Sequence, residues 1–126
     1  MNELEIIQHP LIQGLSIFFD TMTYRTSHIH SEWELVWVVN GTLCFNCGRG
    51  TFSLSSGEIA LFAPIEPHEF LRGDSPSTFL CLQISQKLLP ALPRILPETC
   101  LPLQHLSEKE ANELRQRILC AAAAYC

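Results

Sequence analysis

Three histidines and one glutamate stand at spacings that let them act together. His28 and His30 are two residues apart and Glu34 follows four residues later, so on an extended chain all three side chains point to one face. A third imidazole, His68, closes the block Ala63-Pro64-Ile65-Glu66-Pro67-His68. Three imidazoles and a carboxylate meeting at a point can ligate a divalent transition metal, and that donor set suits Zn, Ni, Fe, Mn or Cu rather than Ca or Mg. The same groups can instead form the metal-free, hydrogen-bonded floor of a pocket, or lie apart as surface histidines. His9, in a proline-flanked segment, and His105, just before a helix start, fall outside the spacing and read as surface residues. The sequence holds no nucleophile-plus-base pair, phosphate-cradling glycine loop or nucleotide fingerprint, so catalytic turnover is not expected.

Strands must position these groups. From Leu15 to about Leu82 short apolar or alternating runs rich in Val, Phe, Trp, Thr and Ile are separated by turn residues, the pattern of a mainly-β domain. Strands are predicted over Leu15–Tyr24, Glu34–Val39, Thr42–Asn46, Thr51–Leu54, Glu58–Phe62, His68–Leu71 and Thr78–Ile84. Asn40-Gly41 reads as a two-residue hairpin turn, since both residues tolerate positive φ. Gly48-Arg49-Gly50, Ser55-Ser56-Gly57 and Gly73-Asp74-Ser75-Pro76 supply further turns. Val36 and Val38 share the parity of Glu34 and are expected to line the lumen beside it, with Phe45 or Cys44 opposite. Trp33, Leu35, Trp37 and Val39 should face the other way, into a second apolar layer or a subunit contact.

Prolines at 90, 93, 97 and 102 break up the chain after Ile84, leaving room for a helical turn or two over Ser85–Leu96. A helix then starts at Ser107, which makes a capping box with Glu110. Ala111, Leu114, Ile118, Ala121 and Tyr125 recur at spacings of three and four, giving an apolar stripe that must meet either a partner helix in a dimer or the chain's own barrel. The pattern reaches Cys126 without a Gly or Pro stop, so the helix is expected to continue in a longer protein. The chain is expected to divide into a mainly-β domain with its flanks, 1–106, and the start of a helical dimerisation or linker segment, 107–126.

The first block, His-x-His, three residues, Glu, six residues and Gly, with the Gly57-to-His68 block downstream, resembles the two motifs of the cupin superfamily. That resemblance implies a double-stranded β-barrel, or jelly roll, with metal ligands on His28, His30, Glu34 and His68. Departures from the motif fall at Met22, Ala63, Ile65 and Arg72. Glu-Leu-Val-Trp-Val-Val-Asn-Gly and Gly-Glu-Ile-Ala-Leu-Phe-Ala-Pro-Ile-Glu-Pro-His are also similar to the N-terminal effector domains of AraC-family transcription regulators. For residues 15–126 this implies a small-molecule effector bound by His28, His30, Glu34, Val36, Val38 and His68, homodimerisation, and DNA contact only through a helix-turn-helix domain absent from this chain.

Bulk properties set limits on partners. The formal net charge is -5, and the scattered Arg25, Arg49, Arg72, Lys87, Arg94 and Lys109 make no basic patch, so this segment alone is not expected to bind DNA. No secretory signal and no membrane-length apolar run are present, which points to the cytoplasm and no membrane partner. The six cysteines, at irregular positions, are then expected to stay reduced, with the Cys44-x-x-Cys47 pair as ordinary small apolar side chains. Three functions compete: a ligand-sensing regulatory domain, a metal-dependent cupin enzyme such as an isomerase or dioxygenase, and a purely structural dimerisation module.

Overall fold

A computed structural model describes residues 3–4, 14–22, 24–48, 50–73, 75–87, 101–102 and 107–125. In chain order the strands are β1 (Glu3–Leu4), β2 (Leu15–Met22), β3 (Arg25–Ile29), β4 (Trp33–Asn40), β5 (Thr42–Cys47), β6 (Gly50–Ser55), β7 (Ile59–Phe62), β8 (His68–Phe70), β9 (Ser77–Ile84) and β10 (Leu101–Pro102), followed by the helix α1 (Glu108–Tyr125). They form two five-stranded sheets, β1-β3-β8-β5-β6 and β10-β7-β4-β9-β2. Every neighbouring pair is antiparallel except β1 with β3. The mainly-β jelly roll with a C-terminal helix is therefore the fold. Among the described residues no strand pairing joins the two sheets, so they face each other as an open jelly roll rather than a hydrogen-bonded closed barrel.

Two readings of the strands need correction. The run expected as one strand to Tyr24 ends at Met22, and β3 follows as a separate strand in the other sheet. Asn40-Gly41 is not a hairpin turn. Both edges of β4 are already taken, by β7 and β9, so β5 has no edge of β4 to pair with and crosses to the opposite sheet. Gly41 makes that corner with a φ of 87°. A Cβ there would lie 3.3 Å from Pro76 O and Ser77 Cα, so both conformation and space favour glycine.

Strand alternation divides the apolar residues into two layers. Val36, Val38, Leu43, Phe45, Leu54, Ala60, Phe62, Phe70, Phe79 and Cys81 fill the space between the sheets, where full burial stabilises by roughly 1.5–3 kcal/mol per large side chain. The other face of the β4-containing sheet presents Ile17, Ile59, Leu80 and Leu82, with Leu35 and Trp37 beside them, and Ile118 of α1 packs into that layer. The helical stripe is thus used against the chain's own sheet. Leu114 and Ala121, both partly buried, join the contact. Tyr125's side chain lies outside the described residues.

Ser107 and Glu110 form the expected capping box: Glu110 N donates to Ser107 Oγ and Ser107 N to Glu110 Oε1, both at 3.1 Å. These backbone and side-chain hydrogen bonds hold the Glu110 carboxyl below its ordinary pKa. Arg115 ties the helix down by donating from Nη1 to Gly57 O at 2.8 Å. No described helix is long and apolar enough to cross a membrane. The expectation of six reduced cysteines fails at Cys47, which is disulfide-bonded; spacing along a sequence does not report which thiols the fold brings together. Cys44, Cys81 and Cys120 are thiols. His9, His105 and the segment of Ser85–Leu96 beyond Lys87 lie outside the described residues.

Candidate metal and effector site

Strand register builds the cluster. His28 on β3 stands directly opposite His68 on β8, their ring centroids 4.1 Å apart. His30 lies just past the end of β3, with its ring 5.1 Å from that of His68. Glu34 reaches the same point from β4 in the facing sheet. The four side chains are buried, and one ligand atom from each lies within 4.8 Å of all the others. Phe62 stacks on His68 at 4.5 Å and 19°, closing one side. Val36 and Val38, expected beside Glu34 in the lumen, sit fully buried in the apolar core.

Each of two imidazoles is oriented by a carbonyl. His30 Nδ1 is 3.1 Å from Glu32 O, and His68 Nδ1 is 2.8 Å from Glu66 O. A carbonyl only accepts, so in the neutral imidazole Nδ1 carries the proton and Nε2 presents a lone pair. His68 Nε2 is 3.0 Å from Glu34 Oε2, and His30 Nε2 is 3.4 Å from Glu34 Oε1. Among the described residues neither His68 Nε2 nor Glu34 Oε2 has a hydrogen-bond partner. Buried lone pairs facing a carboxylate repel unless a proton or a cation lies between them. Tetrahedral bonds of about 2.1 Å set neighbouring ligand atoms about 3.4 Å apart, so the donor set and its spacing fit a transition metal. Burial pushes the Glu34 carboxyl upward, but the adjoining imidazoles of His30 and His68 outweigh it and hold the pKa well below the ordinary value.

The loop before His68 is pinned on several sides. Ile65 N donates to His30 O at 2.8 Å and Glu66 N to Ala63 O at 3.2 Å. The buried Glu66 carboxylate accepts from Gly48 N at 2.7 Å, across a space that a Gly48 side chain would fill. Ile65, where the cupin motif has glycine, keeps a φ of 64°. For a β-branched residue that conformation costs roughly 1–3 kcal/mol, and the hydrogen bond to the backbone of His30 helps hold it.

A cavity of about 70 Å³ adjoins the cluster. Its polar lining comes from Asp20, Arg25, His28, Glu34 and Gln83, and its apolar wall from Phe18, Met22, Phe70 and Phe79. Gln83 and Cys81 were not singled out by sequence reasoning. Gln83 Nε2 donates to Glu34 Oε1 at 2.9 Å and Cys81 Sγ to the same oxygen at 3.4 Å. The available signal was a lone amide directly after the apolar run Phe79-Leu80-Cys81-Leu82, at the parity of Phe79 and Cys81.

Comparison with known proteins gives a consistent picture. A family profile described as AraC-like ligand binding domain matches residues 15–125. No curated protein matches the chain in sequence. Among solved structures, ToxT from Vibrio cholerae strain SCE256 with unsaturated fatty acid bound has a TM-score of 0.59 at 8% identity, covering 88% of this chain and 48% of its own. The chain therefore spans about half of ToxT. DMSP lyase DddQ from Ruegeria pomeroyi has a TM-score of 0.55 at 19% identity, covering 77% of this chain and 47% of that one. A cupin protein from Bacteroides fragilis has a TM-score of 0.50 at 20% identity, covering 59% of this chain and 68% of that one.

Proposed function

Since the chain belongs to the family of AraC-like ligand-binding domains, we propose that it senses a small-molecule effector for an AraC-type transcription regulator, with one divalent transition metal held by His28, His30, Glu34 and His68. The observation that carries this reading is the buried cluster of His28, His30, Glu34 and His68, of which His28 and Glu34 line a cavity. When bound, the ion would supply a Lewis-acidic position that can accept an effector oxygen or nitrogen. The protein's own groups do the rest. The carbonyls of Glu32 and Glu66 aim His30 and His68, and Phe18, Met22, Phe70 and Phe79 keep water from the effector's apolar side.

Size narrows the effector. About 70 Å³ is roughly half of a cavity that takes benzene, so the enclosed part receives a head group while any larger body extends toward the mouth. An unsaturated fatty acid, the ligand of ToxT, would not fit whole. DNA contact belongs to a separate domain of the regulator, because this chain carries a net charge of -5 and no basic cluster. Self-association as a homodimer would use a face other than the stripe seated on the sheet. In the cytosol, where we place the regulator, the Cys47 disulfide would meet reducing conditions.

The three-histidine, one-glutamate set also favours a second reading, a metal-dependent cupin enzyme such as an isomerase or dioxygenase; the family match supports sensing without turnover. The test is elemental analysis of the purified chain together with thermal unfolding in the presence of Zn, Ni, Co or Mn and a panel of small metabolites. Near-stoichiometric metal, lost in His30→Ala, and a metabolite that stabilises without being consumed are expected. A metabolite converted to product would favour the enzyme, and neither metal nor stabilisation would overturn the site.

A further inference from the structure

The two oxygens of Glu34 have different surroundings. Oε1 accepts from Gln83 Nε2 at 2.9 Å and from Cys81 Sγ at 3.4 Å and lies 3.4 Å from His30 Nε2, whereas Oε2 faces His68 Nε2 at 3.0 Å and has no hydrogen-bond partner among the described residues. Strand register explains the difference. Gln83 on β9 stands directly opposite Glu34 on β4, the arrangement in which two side chains on one face meet most closely. Cys81 pairs with Val36, which puts it diagonally next to Glu34 on the same face. Glu34, Gln83 and Cys81 are 4%, 4% and 2% exposed, so solvent is not a ready substitute donor for Oε1.

On the reading that the cluster holds a divalent metal, we infer that Gln83, assisted by Cys81, is the positioning residue that fixes the Glu34 carboxylate by Oε1 and presents Oε2 to the ion. An amide N–H can donate to a carboxylate but offers the metal no competing anionic ligand. A carboxylate held by one oxygen enters the ligand set through the other, beside the histidine nitrogens. Gln83 also lines the cavity, so the residue that aims Glu34 stands where an effector enters. A purely structural role predicts something else: Gln83 would satisfy a buried carboxylate, and its loss would destabilise the metal-free protein without altering metal binding.

The experiment measures Co²⁺ affinity by chelator competition, and the visible absorption of bound Co²⁺, on the 126-residue chain. The variants are Gln83→Met, of similar length without the donor, Cys81→Ala and Cys81→Ser. Loss of a group that orients a metal ligand typically weakens binding by roughly 10–100-fold. Gln83→Met is expected to fall in that range with an altered spectrum, Cys81→Ala to lose less, and Cys81→Ser, which keeps a donor, to recover the affinity. Unchanged Co²⁺ affinity and spectrum in Gln83→Met would overturn the inference, even if its melting temperature dropped. If Gln83→Met does not fold, the Cys81 pair decides, and equal affinity in Cys81→Ala and the wild type overturns it. A wild type that binds no Co²⁺ would instead remove the metal reading itself, and the positioning role with it.

Discussion

Replacing Ile118 with Ala should cost the domain about 2–3 kcal/mol, because its side chain is the helix's anchor on the sheet. Ile118 is 4% exposed and packs among Ile17, Ile59, Leu80 and Leu82. Three carbons are removed, each contributing about 0.8 kcal/mol on burial. A cavity left rigidly open would carry the loss toward the top of the roughly 2–5 kcal/mol range for such truncations. Here the neighbouring Leu114, Ala121 and Ala122 are only partly buried, so the helix can settle and the lower half applies. For a chain of this size that is a fall in melting temperature of roughly 6–15 °C. Equilibrium urea denaturation followed by tryptophan fluorescence reads it, with Trp37 packed against the same cluster. Leu119→Ala is the control: Leu119 is 49% exposed, and a change within about 0.5 kcal/mol is expected. Equal, small losses in both variants would refute the docking of α1 on the sheet. The pair Leu114→Asp with Ile118→Asp should likewise unfold or loosen the domain rather than convert a folded dimer into a folded monomer.

Saturating the site with Zn²⁺ or Co²⁺ at about 100 times its dissociation constant should stabilise the chain by about 2.7 kcal/mol, and chelation or His30→Ala should abolish the gain in a thermal-shift assay. Gly48→Ala should destabilise by roughly 1–3 kcal/mol, since its methyl would displace the Glu66 carboxylate and leave that buried group short of a donor; chemical denaturation checks this, and Lys109→Ala at an exposed position of α1 is the neutral comparison. Ser107→Ala should cost about 1 kcal/mol through the lost helix cap, visible as faster amide exchange in the first turn of α1. The depressed Glu110 carboxyl adds its capping contribution above the ordinary carboxylate pKa and loses it as pH falls through the lower folded value, so Glu110→Gln should flatten the pH dependence of that exchange.

Motif spacing made the cluster legible, since it joined His28, His30 and Glu34 to His68, but a single extended backbone is not what brings them together: β3 ends at Ile29, and Glu34 arrives on β4 in the facing sheet. Connectivity was harder to read. Asn40-Gly41 carries the local chemistry of a hairpin, yet whether two strands pair across a turn depends on which edges are free, and β4 spends both of its edges on strands far away in sequence. The same long-range pairing concealed Gln83, whose importance comes from standing opposite Glu34. Val36 and Val38 share Glu34's face as expected, but the lumen is filled with side chains at their level, and the cavity lies instead beside Glu34, lined from β2, β3, β8 and β9. Periodicity alone found the apolar face of α1; what covers that face was a question of tertiary packing.

The interleaving of the two sheets also dictates how the chain must fold. Among the described strands only β5 and β6 pair with their immediate neighbour in sequence; β2 waits for β9, and Leu15 finds Ile84. Loop-closure entropy has to be met before such distant pairings contribute, so folding on the millisecond-to-second scale is expected, slower than for a helical bundle of equal length. The clustered side chains come from both sheets, His28 and His68 from one and Glu34 from the other, and the candidate site does not exist until those sheets have met. An ion added to the unfolded chain should therefore leave the folding rate nearly unchanged and slow unfolding instead, locking the two halves together after they have assembled.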